Sequence, residues 1–397
     1  MRILQVCDTY PPDRGGLGAH VRRLGERLVD RGHDVMVVAA GTAETEQSGD
    51  PFPVHRVRPS FARLPGVYEP ESPPFHPPWA DRGFIKGVER AAAQLEPDVV
   101  HAHGWCTYSA VRCAPAWSQR VVSTLHDHGL ACPKKTLLRF GRECQPARGM
   151  ACLRCDDQTT LKRGGLAAAL AITTPPLERR IRRLLAVSTY VAARAEEVGV
   201  SRGLLDVVPN FVDLPDPKSA GPPADVSRPY VMYGGPVTPH KGLHVLLEAF
   251  QQVPGVELRL AGGDGTVCAP GVVDLGYQTG EPLAALYRDA LMLVVPSIWA
   301  DPCPTVALEA MAWGTPVVGS ALGGLTDIVD DGVTGLLVPP GEPGALREAI
   351  TQLVRDPPLR EQMGAQSRER VALFSTDTVI PRLETIYAST MPGGPDA

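Results

Sequence analysis

The feature that most constrains this chain is an alternation of short apolar runs with helix-period segments, which occurs twice, on either side of a proline-rich break. In the first block "MRILQV" leads through "YPPDRGGLG" into "AHVRRLGERLVDRGH", where Leu24 and Leu28 share one helical face, and then into "DVMVVAA". Strand, crossover helix and strand make a βαβ unit, and such units build parallel sheets. The apolar runs "DVVHAH", "RVVSTLHDH", "LLAVS" and "LDVVPN" supply further strands. Residues 51–82 hold too many prolines for a central strand or helix and are expected to form a long surface loop.

Residues 213–228 combine prolines with polar residues and read as an interdomain linker. The alternation then restarts with "YVMYGGPVTPHKGLHVLLEAFQQV", "VELRLAGG", "PLAALYRDA" and "LMLVVPS", and continues through "TPVVGS", "GLLVPP" and "GALREAITQLVRD". A chain of 397 residues is longer than one core usually serves. The expected fold is α/β, with two doubly wound domains facing each other across a cleft. Their expected boundaries are 1–212 and 229–375, with 376–397 packing back on the first.

The net charge of -5 gives no global basic field for nucleic acid. "MRILQVCDTY" enters a strand at once without the features of a secretory signal, and no apolar run approaches the ~18 residues of a membrane span. A cytoplasmic location is expected. Nine cysteines, an odd number, then read as reduced thiols or metal ligands. Two basic stretches, "VRRLGERLVDR" and "LERRIRRLLAV", read as helical segments. Solvated faces are favoured for them because no tryptophan or phenylalanine flanks the arginines, and peripheral membrane contact stays open.

Chemistry concentrates at the edges where strands give way to helices. In "PSIWADPCPTVALEAMAWGTPVV" Asp301 and Glu309 flank one strand-to-helix corner, the kind of place where open parallel sheets bind ligands. Between them the backbone N–H groups of Cys303, Thr305 and Val306 can face an anion, while Pro304 has none to offer. Read alone, the two acids serve equally well as a loop cap and a solvated helix face. Lys241, in "PHKG" before a helix, is conspicuous because only six of the 39 basic residues are lysines. Gly15 and Gly16 stand between the first strand and first helix. His126 ends the apolar strand "RVVSTLH", at the carboxyl edge of the first sheet; His101, His103 and His128 read as structural.

Together these stretches resemble glycosyltransferase family 4, of the GT-B fold. The resemblance runs from the Gly15-Gly16 loop through "STLHD" and "AVSTYVAARAEEVGV" to "PHKGLHVLLEAF" and "PCPTVALEAMAWGTPVVGSALGGLTDIVDDGVTGLLVPPGEPGAL". It implies transfer of a sugar from a nucleotide diphosphate donor, of UDP or GDP type, with retention of anomeric configuration and without a catalytic metal. Glu309 would accept hydrogen bonds from ribose hydroxyls, and Asp301 from the donor sugar. Lys241 would offset charge on the leaving diphosphate, which the backbone at Cys303, Thr305 and Val306 and the Gly15-Gly16 turn would also approach. Gly276-Tyr277 would meet the base. His126 would hydrogen-bond the sugar and steady positive charge at the anomeric centre. The family pattern has two glutamates at this corner and an arginine five residues before the lysine; this chain has Asp301 for the first glutamate and Pro236 for the arginine. The acceptor, a saccharide, lipid or small natural product, is not specified. Two alternatives accompany this reading: a sugar-nucleotide epimerase of the same architecture and a noncatalytic sugar-nucleotide-binding protein.

One insertion stands apart. "CPKKTLLRFGRECQPARGMACLRC" carries Cys132, Cys144, Cys152 and Cys155, the last two as a Cys-x2-Cys knuckle. Four thiolates suffice for a structural zinc, and also for an iron–sulfur cluster. Lys134, Lys135, Arg139, Arg142, Arg148 and Arg154 against Glu143 would balance such a site's negative charge. Unliganded thiols are the plainer alternative.

Overall fold

A computed structural model describes residues 1–391 apart from 14, 44, 48, 61–75, 119, 145–151, 153, 154, 156–159 and 217–227. The chain divides into two compact units, one of residues 1–140, 144–208 and 380 onward, the other of 141–143 and 209–379.

The sheet of the first unit runs, edge to edge, Leu205–Val207, Arg183–Ala186, Val121–Leu125, Val99–His103, Arg2–Cys7, Asp34–Ala40, Val54–Val57 and Thr45–Gln47. All neighbours are parallel except the last pair. Winding starts at Arg2–Cys7, proceeds one way to Val54–Val57 and resumes on its other side with Val99–His103. The switch point therefore lies between those two starting strands, at whose carboxyl ends a ligand crevice is expected. Strands covered on both faces are largely apolar, and Val99–His103 and Val121–Leu125 are buried at every position, His101, His103, Ser123 and Thr124 included. The helix Gly16–Asp30 packs through Val21, Leu24 and Leu28.

Two expectations need correction here. Residues 51–82 are not all loop, because Val54–Val57 is a strand paired with Asp34–Ala40. Pro51 and Pro53 precede it, so its own N–H groups are intact, and the Pro53 carbonyl still accepts from Val37 N–H at 2.9 Å. Residues 61–75 of that stretch lie outside the described residues. The segment "LERRIRRLLAV" is not a helix either: Thr160–Glu178 ends there, and Arg183–Ala186 is already strand. In the other basic stretch, Arg22 pairs with Glu26 and Asp50, Arg27 with Asp30 and Arg31 with Glu384, so much of its charge is answered within the unit. No described helix is long and apolar enough to cross a membrane.

The second unit is a wholly parallel sheet in the order Val272–Asp274, Glu257–Ala261, Tyr230–Gly234, Met292–Val295, Val317–Ser320, Gly335–Val338. In sequence order that is 3-2-1-4-5-6, the doubly wound nucleotide-binding arrangement. Val231, Tyr233, Leu258, Leu260, Met292 and Val294 from the strands meet Leu246, Ala249, Ile350 and Leu353 from the helices Leu243–Phe250 and Pro343–Arg355 in one core. The switch point falls between Tyr230–Gly234 and Met292–Val295, and the loops leaving these two strands carry Lys241 and Asp301.

Candidate functional site

Lys241 is placed by one glycine. Gly242, at φ +72°, adopts a left-handed conformation, and a Cβ there would stand 1.9 Å from the Pro296 carbonyl oxygen. Only glycine lets the end of the first strand's loop lie against the end of the fourth strand this closely. Ile298 N–H donates to the His240 carbonyl at 3.0 Å and ties the two loops together. The result is a contact that spacing alone did not reveal: Lys241 Nζ lies 2.5 Å from Asp301 Oδ2. Asp301 is buried at 7 % exposure. Its carbonyl accepts from Gly324 N–H at 2.7 Å, and Gly323, at φ +65°, approaches it so closely that a Cβ would lie 2.5 Å away.

Beyond Asp301 the helix Thr305–Ala312 begins after Pro304, with no side chain capping its N-terminus. Its opening N–H groups are thus left for a ligand or water. Cys303 is buried, and burial first of all pushes its thiol up to about 12, so its side chain supplies no thiolate at neutral pH. The Cys303 carbonyl is fixed by Asn210 Nδ2 at 3.1 Å, which braces the loop from the start of the unit. Glu309, one helical turn further on, is half-buried and accepts from the Tyr287 hydroxyl at 2.9 Å. Tyr287 is itself buried and held through its carbonyl by Thr315 Oγ1 at 2.5 Å.

Tyr287 was missed by sequence reasoning because an aromatic in "LAALYRD" reads as ordinary core. Tyr287→Phe keeps the ring and removes only the donor. It is expected to raise the donor KM severalfold, about 1 kcal/mol, with little change in kcat or melting temperature, as measured by initial rates and thermal melts. Pro236 is exposed and brings no charge; its carbonyl accepts from Tyr233 Oη at 2.9 Å. Tyr277 is 58 % exposed, with Gly276 in a left-handed turn before it.

In the first unit, Gly15 and Gly16 face open space, and a Cβ on either would meet nothing within 4 Å. The close backbone approach belongs to Gly18, whose Cβ would lie 3.0 Å from the Thr9 oxygen. His126 directly follows Val121–Leu125 and is half-buried. Its ring partner is His103, with His103 Nδ1 2.9 Å from His126 Nε2. One ring must donate and the other accept, which fixes complementary neutral tautomers. Burial, reinforced by Lys135 and opposed by Asp127, pushes His126 down to about 4, so it is neutral at physiological pH. Behind it His101 bonds Tyr387 Oη at 2.6 Å and Thr124 Oγ1 at 2.7 Å, and His103 is wholly buried. His101 and His103 are thus tied into this buried row, and His103 also orients His126.

Next to this row, Lys135 lies 3.4 Å from Asp8 and 3.2 Å from Asp127, with its ammonium over the Trp105 ring. That charge answers two carboxylates, so the expectation that Lys135 would balance thiolates is not met. Arg148 and Arg154 of the same insertion lie outside the described residues. None of the nine cysteines is in a disulfide, and among the described residues no three or more His, Cys, Asp or Glu are gathered to hold a metal ion as they stand.

Comparison with known proteins accords with this geometry. The profile described as Glycosyltransferase Family 4 matches residues 14–215, and that for Glycosyl transferases group 1 matches 217–370. D-inositol 3-phosphate glycosyltransferase of Mycolicibacterium paratuberculosis is 30% identical over 94% of this chain and 86% of its own length. Among solved structures, sucrose-phosphate synthase from Thermosynechococcus elongatus superimposes with a TM-score of 0.72 at 24% identity over 98% of each chain. Anabaena HepE in complex with UDP gives 0.66 at 19% identity, over 98% of this chain and 100% of that one. These structures share the GT-B fold. The chain belongs to glycosyltransferase family 4 and is a glycosyltransferase.

Proposed function

We propose that this glycosyltransferase uses a UDP- or GDP-sugar and transfers the sugar to a hydroxyl acceptor with retention. The observation that carries the reading is the Lys241–Asp301 pair with Glu309 at the switch point of the 3-2-1-4-5-6 sheet. In that arrangement Glu309, steadied by Tyr287, accepts from the ribose hydroxyls. The diphosphate meets the uncapped helix N-terminus and the Lys241 ammonium. Asp301, freed in part when Lys241 turns to phosphate, accepts from hydroxyls of the sugar. His126 keeps the role the family resemblance implies, a hydrogen bond to the donor sugar.

In the reaction the bond from the anomeric carbon to the phosphate oxygen breaks and a bond to the acceptor oxygen forms on the same face. The acceptor proton passes to the departing phosphate oxygen, and nucleoside diphosphate leaves. Lys241 acts where negative charge builds, so its contact strengthens toward the transition state. HepE has been solved with UDP-glucose, which makes that donor the first to try, and a polyhydroxyl acceptor is suggested by the cyclitol phosphate of the relative's name. Incubation with a panel of nucleotide sugars is expected to release nucleoside diphosphate slowly from one donor and faster once a cell extract supplies the acceptor. A protein that binds the donor but releases none under either condition contradicts the proposal and favours a binding role.

A further inference from the structure

The described residues 132–144 have an unusually constrained backbone. Lys135, Leu137 and Phe140 all have φ between +50° and +64°, a left-handed region that residues with a Cβ occupy at a cost. Conformations of this kind persist only where the surroundings impose them. Three of the four cysteines converge on Leu137-Leu138. Cys132 packs with Leu137 in a small buried cluster, Cys144 N–H donates to the Leu137 carbonyl at 2.7 Å, and Cys155 Sγ donates to the Leu138 carbonyl at 3.7 Å. The fourth, Cys152, is buried, as Cys132 is. Three cysteines at one short stretch, with a fourth three residues before Cys155, suit a cation that takes thiolate ligands.

We propose that Cys132, Cys144, Cys152 and Cys155 bind one structural zinc ion, which ties Cys152 and Cys155 to Cys132 and Cys144. The donor set is all sulfur, with a Cys-x2-Cys pair, the combination zinc takes in closed tetrahedral sites. The thiols as they stand are not at ligand geometry. Closure on the ion therefore accompanies binding, as in other sites where metal and local order are coupled. Its consequence for the unit is the placement of Lys135. The Lys135 N–H donates to the Cys132 carbonyl at 2.9 Å, and its carbonyl accepts from His128 N–H at 3.2 Å, so clamping Cys132 sets the ammonium between Asp8 and Asp127.

The test does not depend on sugar transfer. Protein purified without added metal is expected to contain one zinc per chain by elemental analysis. Cys155→Ser should lose it, while Cys268→Ser, which alters an exposed thiol outside the group, should keep it. Because Cys155→Ser could also misfold, the wild-type chain is stripped by chelation and titrated with cobalt(II). One equivalent should give the intense thiolate charge-transfer and visible bands of a tetrahedral sulfur site. Hydrogen exchange over 130–144 should slow when zinc is restored. Substoichiometric zinc together with no such cobalt spectrum overturns the proposal, as does stoichiometric iron with labile sulfide in place of zinc.

Discussion

Alanine in place of Lys241 is expected to lower kcat/KM for transfer by about 10²–10³-fold, roughly 3–4 kcal/mol of transition-state stabilisation. On the proposed reading the loss should fall mainly on kcat, because the ammonium would oppose charge that grows as the diphosphate departs. Glu309→Ala is expected to cost a similar factor, shared between kcat and donor KM, since on the same reading Glu309 would orient the ribose before and during transfer. Lys241→Ala carries a second effect, for it leaves the Asp301 carboxylate buried at 7 % exposure without its partner. The Lys241 side chain is partly exposed, so water softens that penalty. A modest fall in melting temperature should accompany Lys241→Ala and be absent from Glu309→Ala. Initial rates at saturating and subsaturating donor, with circular dichroism as the fold control, check both. Near-normal turnover in the two variants would remove the site assignment.

The second large effect concerns acid. His101 and His103 are buried at 1% and 0% exposure, and burial first of all holds both well below the usual imidazole range, His101 at about 3. Above pH ~6.5 these rings are neutral in both folded and unfolded chains, and their contribution does not vary with pH. Below that value the unfolded chain takes up protons that the folded chain refuses, so stability falls as pH falls toward the folded pKa. At about 1.4 kcal/mol per pH unit, His101 alone should remove roughly 2 kcal/mol between pH 6.5 and 5, and His103 acts in the same direction. That is a large share of a typical domain's stability, on the order of 5–15 kcal/mol. Denaturant unfolding of the first unit's signal at pH 7 and pH 5 measures the slope, and His103→Asn, which cannot titrate, should flatten it. Equal stability at the two pH values would show that these rings protonate freely in the folded chain.

The sheets were legible because strands buried on both faces read as short, largely apolar runs, and runs such as "VVSTL" and "LMLVV" have few other uses. Spacing alone brought Asp301 and Glu309 to one corner. It could not show that Lys241 closes on Asp301, because that contact depends on Gly242 letting two distant loops touch, a tertiary fact carried by one missing Cβ. His126 was legible from its place after a strand, whereas its partner His103 lies on the neighbouring strand, and pairing between neighbours depends on sheet order. The strand Val54–Val57 was hidden by counting prolines over a long window, when what matters is which N–H groups the sheet needs. The helical reading of "LERRIRRLLAV" failed for a related reason: arginine tolerates a helix end, a turn and a strand edge alike.

Retention at the anomeric carbon is the central claim of the proposed reaction, since a leaving phosphate that takes the acceptor proton must sit on the face where the acceptor arrives. The configuration of the product reads it directly. With an α-linked nucleotide sugar as donor and the acceptor isolated from a native extract, the proton NMR coupling at the new anomeric position is expected to report an α linkage, with loss of signal in Lys241→Ala. A β linkage formed by the wild-type protein would contradict the account.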